Sequence, residues 1–113
     1  MAVNKEIEDM LSPVGLPLAY RQFKPYKNKP VPKPPYLIYI IEREKGSGAD
    51  GKNLVKERTV TIELYSDRKS TELEDKVEAA ISAFEFDKYE DYIEGESLYM
   101  VSYEIIIYQK IRR

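Results

Sequence analysis

Residues 25 to 35, "PYKNKPVPKPP", hold five prolines. Proline lacks a backbone N–H and fixes φ, so this stretch can be neither helix interior nor inner strand. It is an extended leader, and it leaves the core to be built mainly from the residues C-terminal to it. Directly after it, "YLIYIIERE" (36–44) is apolar on both faces at its start, the pattern of a strand covered on both sides. Lys29, Pro32 and Pro35 also match the basic-x-x-P-x-x-P spacing of a polyproline ligand. Such a ligand needs exposure on both sides to lie in a groove. Pro35 abuts Tyr36 and a strand that must be buried, so a stiff lead-in to a sheet is the better account.

Ahead of the leader, Ile7, Met10, Leu11 and Val14 recur at i, i+3, i+4 and i+7, one face of a helix. Asn4 is its expected N-cap, and Pro13 ends it near Ser12. Leu16, Leu18 and Tyr20 then alternate through an extended connector as an edge strand would. Beyond the first core strand, "LVKERTVTIELYS" (54–66) alternates cleanly, with Val60, Ile62 and Leu64 on one side. The two strands are joined by "KGSGADGKN", read as a long hairpin whose tip is polar and mobile. "TELEDKVEAAISAF" (71–84) is the strongest helix. Its stripe is Leu73, Val77, Ile81 and Phe84, with Thr71 and Glu74 as a capping box. "EFDKYEDYIEGE" reads as a short strand ending at Gly95. "SLYMVSYEIIIYQKI" is a long closing strand with Tyr99, Val101, Tyr103, Ile105 and Ile107 on one face.

The expected fold is one α+β domain over residues 1–113. It is a mainly antiparallel sheet of three to four strands with a long hairpin, an N-terminal helix and one amphipathic helix packed on the sheet.

Histidine and cysteine are both absent. That removes the commonest general base, the thiol nucleophile, disulfides and thiolate metal sites. The N-terminus carries no apolar signal region and no apolar run reaches membrane-spanning length, so a soluble, cytoplasmically made protein with no membrane association is expected. Asp50 with Asp67–Lys69 has the local pattern of a metal-dependent nuclease, but Asp67 sits in a turn before a helix and Asp50 on a loop. The acidic cluster Glu85, Asp87, Glu90, Asp91, Glu94 and Glu96 lacks the spacing and turn glycine of a calcium loop, so no metal is expected. Gly46, Gly48 and Gly51 are not followed by the Gly-Lys-Ser/Thr that holds phosphate. No catalytic residue and no cofactor are expected.

Net charge is only −2, but it is unevenly spread. Arg21, Lys24, Lys27, Lys29 and Lys33 lie in a stretch without acids. Residues 70–96 carry ten acids against Lys76 and Lys88, a local balance of −8. Two solvated faces are one reading; a basic flank that meets the acidic flank of the next copy is the other. The ten tyrosines, mostly on expected strands, suit cross-strand pairing and protein interfaces. They are mixed with acids rather than with bases, which disfavours a nucleic-acid stacking platform.

Taken in order, the N-terminal helix, "VGLPLAYRQF", "KPPYLIYI", the Gly-rich hairpin, "TVTIELYSDRKSTELEDKVEAAISAF" and "YIEGESLYMVSYEIIIY" resemble the tail-terminator and head–tail joining (tail completion) proteins of long non-contractile-tailed phages and prophages. The likeness spans nearly the whole chain. It implies a structural protein, made in the host cytoplasm and retained in the virion, that forms a ring, usually of six copies, capping the tail tube and allowing head attachment. Its partners would be itself, the tail-tube protein and the head connector or closure protein. DNA would pass through the lumen without specific binding, repelled by acidic side chains. The residues expected at subunit or tail-tube interfaces are Arg21, Lys24, Lys27, Lys29 and Lys33, the hairpin residues Gly46, Gly48, Asp50, Gly51 and Lys52, and the acids Glu72, Asp75 and Glu78. A head-closure or minor structural role at the same joint, and a non-viral adaptor docking a peptide on a sheet edge, stay open as alternatives.

Overall fold

Val3, Ile7 and Leu11, spaced four apart, bury one stripe of the first helix, α1 (Val3–Leu11). In a computed structural model that describes residues 3–49 and 52–110, this helix continues as a short 3-10 turn, Ser12–Val14. Gly15 closes that turn at φ +78, donating its N–H to the Ser12 carbonyl at 3.1 Å. Only glycine takes that backbone without cost. The remaining elements are β1 (Leu18–Tyr20), β2 (Tyr36–Ala49), β3 (Lys52–Ser66), α2 (Thr71–Ala80), β4 (Asp87–Ile93), a 3-10 turn at Glu94–Glu96, and β5 (Leu98–Lys110). The fold is α+β, and no described helix is long and apolar enough to cross a membrane.

The sheet has five strands in the order β1-β2-β3-β5-β4, one more than the upper expectation, and it is mixed. β2, β3, β5 and β4 pair antiparallel, whereas β1 pairs parallel with β2 through Leu18↔Leu37, Ala19↔Ile38 and Tyr20↔Tyr39. Parallel neighbours need a long return connection, and the proline leader supplies it. The leader therefore does more than stiffen the approach to β2.

The expected long hairpin is present, and the glycine-rich stretch read as its tip is strand on both arms, as far as Ala49 and from Lys52. Gly46 faces Lys56, Gly48 faces Asn53 and Ala49 faces Lys52. Continuing the ladder satisfies backbone groups that a loop would leave to water, and the glycines accommodate a register shift between Ser47 and Gly48. A second shift, between Ile41 and Arg43, leaves Glu42 as the extra residue on β2.

One face of the sheet is covered. Leu37, Tyr39, Val60, Ile62, Leu64, Val101, Tyr103 and Ile105 meet Val3, Ile7, Leu11, Val77 and Ile81 in a single core. α1 is tied over β2: Asn4 Nδ2 donates to the Tyr39 hydroxyl at 3.1 Å, and that hydroxyl donates to Glu8. Asn4 lies within α1 and serves this bond, not the expected cap. α2 ends at Ala80, short of the expected Phe84, although Ile81 stays fully buried in the turn beyond it. The cap of α2 is Ser70, whose hydroxyl accepts from Leu73 N–H at 3.2 Å. Thr71 and Glu74 form no capping box, because Glu74 is committed elsewhere. β4 ends at Ile93 rather than Gly95, where the chain turns through Glu94–Glu96.

Candidate functional site

The register places Tyr36, Ile38, Ile40, Thr61, Glu63, Tyr65, Met100, Ser102, Glu104, Tyr89 and Asp91 on the face opposite the helices. No helix lies on this outer face among the described residues. An aromatic row begins at the leader: Phe23 packs edge-on against Tyr36, centroids 5.1 Å apart, and Tyr36 lies 5.3 Å from Tyr65. Ile38 is buried here, so the strand is covered on both faces at its start, as its sequence demands. Tyr65 also donates to Glu63 at 3.0 Å, and burial first, with the Glu63 charge second, raises its pKa.

Beyond the helix-covered core the sheet narrows. β1 pairs with β2 only as far as Tyr39, and β4 pairs with β5 only as far as Glu104. Past those points β2, β3 and β5 continue as a three-stranded extension. Its inner face is held by charge. Arg58 is 9% exposed; its Nε donates to Glu44 on β2 at 2.6 Å, and its guanidinium also donates to Gln109 on β5. Lys56 lies 3.5 Å from the same Glu44. The hydrogen bond from Arg58 holds the Glu44 carboxyl below the usual value.

A second polar cluster joins α2 to β4 and β5. Glu74 is 3% exposed, and its two carboxylate oxygens meet Lys69 at 2.7 Å and Lys88 at 2.8 Å. Lys69 also reaches Glu90 at 2.6 Å, and Lys88 reaches Glu78 at 2.8 Å. Glu78 in turn accepts from the Tyr103 hydroxyl at 2.9 Å. Burial pushes the Glu74 carboxyl up, but the two lysine hydrogen bonds outweigh it, so its pKa sits below the usual value. Lys88 is raised, chiefly by its bond to Glu74. The signal for this cluster was present in the sequence: Glu74 stands at i, i+3 and i+7 with Val77 and Ile81, a carboxylate on the buried stripe.

The expected interface residues fall on the leader, the hairpin and α2. Arg21, Lys24, Lys27, Lys29 and Lys33 are exposed on the connection from β1 to β2, and no ion pair involves them among the described residues. Arg21 (φ +70) and Lys27 (φ +53) take left-handed backbone, uncommon without glycine. Each stacks its charge over the preceding tyrosine ring, Arg21 5.3 Å above Tyr20 and Lys27 5.4 Å above Tyr26. Gly46 and Gly48 lie on β2 and Lys52 opens β3, while Asp50 and Gly51 lie outside the described residues. Glu72 and Asp75 are exposed on α2, whereas Glu78 is drawn into the bonds with Lys88 and Tyr103.

The leader links β1 and β2, the strands of one side of the sheet. α2 overlies the other side through Tyr103 and Lys88, beside the acidic edge strand β4. The basic and acidic stretches thus flank opposite sides of one sheet. Lys69, part of the nuclease-like pattern, is taken up by Glu74 and Glu90. Among the described residues no group of three or more acidic side chains is set to hold a metal ion. No protein-family model matches the chain, and no curated protein does.

Proposed function

We propose that this chain is a structural assembly protein that closes into a ring at the head–tail joint of a long non-contractile-tailed phage, capping the tail tube and offering the head connector a surface to join. The resemblance of its sequence segments to tail terminators carries the identity of the joint. The observation that supports assembly is the division of charge: cations between β1 and β2 that are unpaired among the described residues on one side, exposed carboxylates of α2 and β4 on the other. A contact between unlike sides is heterologous, so it repeats from copy to copy until rotation closes it. The role needs no catalysis, since binding energy and symmetry suffice to stop a growing tube. An acidic lumen would let DNA through without holding it.

Deletion of the gene from its phage or prophage, then induction and negative-stain electron microscopy, tests the role. Overlong tails detached from filled heads are the expected result, because only a missing cap lets the tube keep growing. Free tails of normal length beside leaking heads would move the protein to the head side of the joint. Unchanged infectious particles would discard the proposal.

A further inference from the structure

β1 and β4 are the outermost strands of the sheet, and each has one edge without a partner strand among the described residues. On β1, Arg21 donates its N–H to the Tyr39 carbonyl at 2.9 Å, and the Pro17 carbonyl accepts from Leu37 N–H at 2.8 Å. Backbone groups alternate in direction along a strand, so Pro17, Ala19 and Arg21 are turned to β2, and Leu18 and Tyr20 are turned outward. The Tyr20 carbonyl accepts from Gln22 at 2.8 Å; no backbone bond from outside the ladders reaches the Leu18 groups or Tyr20 N–H among the described residues. The same alternation, followed through β2, β3 and β5, turns Lys88 and Glu90 of β4 outward.

The ladders also fix how the two edges stand relative to each other. Leu18, Ala19 and Tyr20 are level with Glu90, Tyr89 and Lys88 across the sheet. One step further, Arg21 is level with Asp87, through Ile40, Thr61 and Glu104. β1 runs parallel to β2, and three antiparallel pairings follow, so β4 runs antiparallel to β1. A copy rotated about an axis along the strands, with no slide, brings β1 beside β4 of its neighbour. The strands are then antiparallel, the helix-covered faces lie on one side, and the outward groups of Leu18 and Tyr20 oppose those of Glu90 and Lys88.

Side chains fit the same register. Arg21 and Asp87 face each other on the outer face, both exposed and neither in an ion pair among the described residues. Tyr89, 60% exposed, comes to lie beside Ala19. Asp87, Glu90 and Asp91 guard β4 against a second β4, since like charges repel across a ladder. β1, Leu-Ala-Tyr followed by Arg21, brings no acid and one cation. The proline leader is a poorer occupant, because its prolines cannot donate to a ladder.

We infer that the free edge of β1 pairs antiparallel with the free edge of β4 in a second copy, in the register Leu18 to Glu90, Ala19 to Tyr89, Tyr20 to Lys88 and Arg21 to Asp87. This pairing rests on the proposal that the chain assembles into a ring, and it names the strands that would carry the contact.

The chain has no cysteine, so introduced pairs report without background. Ala19 and Tyr89 would form a non-hydrogen-bonded pair, the kind whose side chains approach most closely. Within one copy they stand on opposite edges, four strand spacings or roughly 19 Å apart, too far for a disulfide. A chain carrying both Ala19→Cys and Tyr89→Cys, checked for wild-type circular dichroism, would be oxidised and run on a non-reducing gel. Native mass spectrometry of the wild type would accompany it. Arg21→Cys with Asp87→Cys, both at exposed positions, is the second pair, so a folding defect in one does not decide the test. The expected result is a ladder of covalent oligomers from each double variant and none from the single ones. Wild-type oligomers without a ladder from either pair would overturn the edge pairing and leave the ring proposal standing. Cross-linking of a single variant with itself would mean a two-fold contact and would also overturn the pairing. Monomer at every concentration, with no cross-link, would overturn both.

Discussion

At the scale of single residues, the fold depends on a few polar groups set against its core. Tyr39 is fully buried, and its hydroxyl bridges Asn4 and Glu8 of α1 to β2. Burial first, then the bond to Glu8, pushes its pKa from 10.0 up to about 12. Below pH 10 the phenol is neutral in both folded and unfolded chains, so its contribution is complete. Above that the unfolded chain ionises first, and stability falls until the folded phenol titrates near 12. Tyr39→Phe should cost about 1 kcal/mol at neutral pH and flatten this alkaline limb, read from urea unfolding across a pH series. Glu74 has the opposite sign. Its folded pKa lies below the usual 4.5, so the stability it brings is present above that value and is lost as pH falls through the folded one. Both lysines that face it are about one-third exposed, which weakens each pair. Glu74→Gln should therefore cost about 2 kcal/mol, less than a wholly buried pair, and reduce the acid sensitivity measured by the same series. The apolar stripes were legible from periodicity alone. The partners of Glu74 were not, because Lys88 reaches it only once β4 has folded back beside β5.

At the scale of elements, the sequence pointed correctly to both helices and to the strands that alternate cleanly, and less well to their ends. Alternation marks β3 because one of its faces is apolar; it fades along Lys45–Ala49, where backbone pairing with β3 extends the strand and the side-chain pattern no longer reports it. β1 is three residues long, too short for any period to register, and its parallel pairing depends on where the leader returns. The extension beyond the core has little apolar surface on its inner face and relies on Arg58 bridging β2 and β5. Arg58→Ala should cost about 1 kcal/mol. Its clearer effect should be local: faster amide exchange at residues 44–46 and 55–58, with Leu37, Ile62 and Tyr103 unchanged. Equal acceleration in both regions would mean that extension and core open as one unit.

At the scale of the whole molecule, the charge division makes a prediction that no single residue carries. Reversing Lys27, Lys29 and Lys33 to Glu should leave the monomer folded, since all three are exposed and unpaired among the described residues. It should abolish ring formation, measured by native mass spectrometry; normal rings from this variant would sink the charge contact. The two charged stretches were visible in the sequence, but only the strand order sets them on opposite sides, and strand order depends on long-range pairing that composition does not encode. The same strand order has a consequence of shape. Each copy is five strands wide under its helices and three strands wide at the extension, a difference of roughly 10 Å at the usual spacing between strands. In the proposed ring, copies set side by side would be staves that narrow toward one end. Staves of that cut would close into a funnel rather than a cylinder, its narrow mouth at the extension and its wide mouth under the helices. Such a passage would present openings of different bore at its two ends.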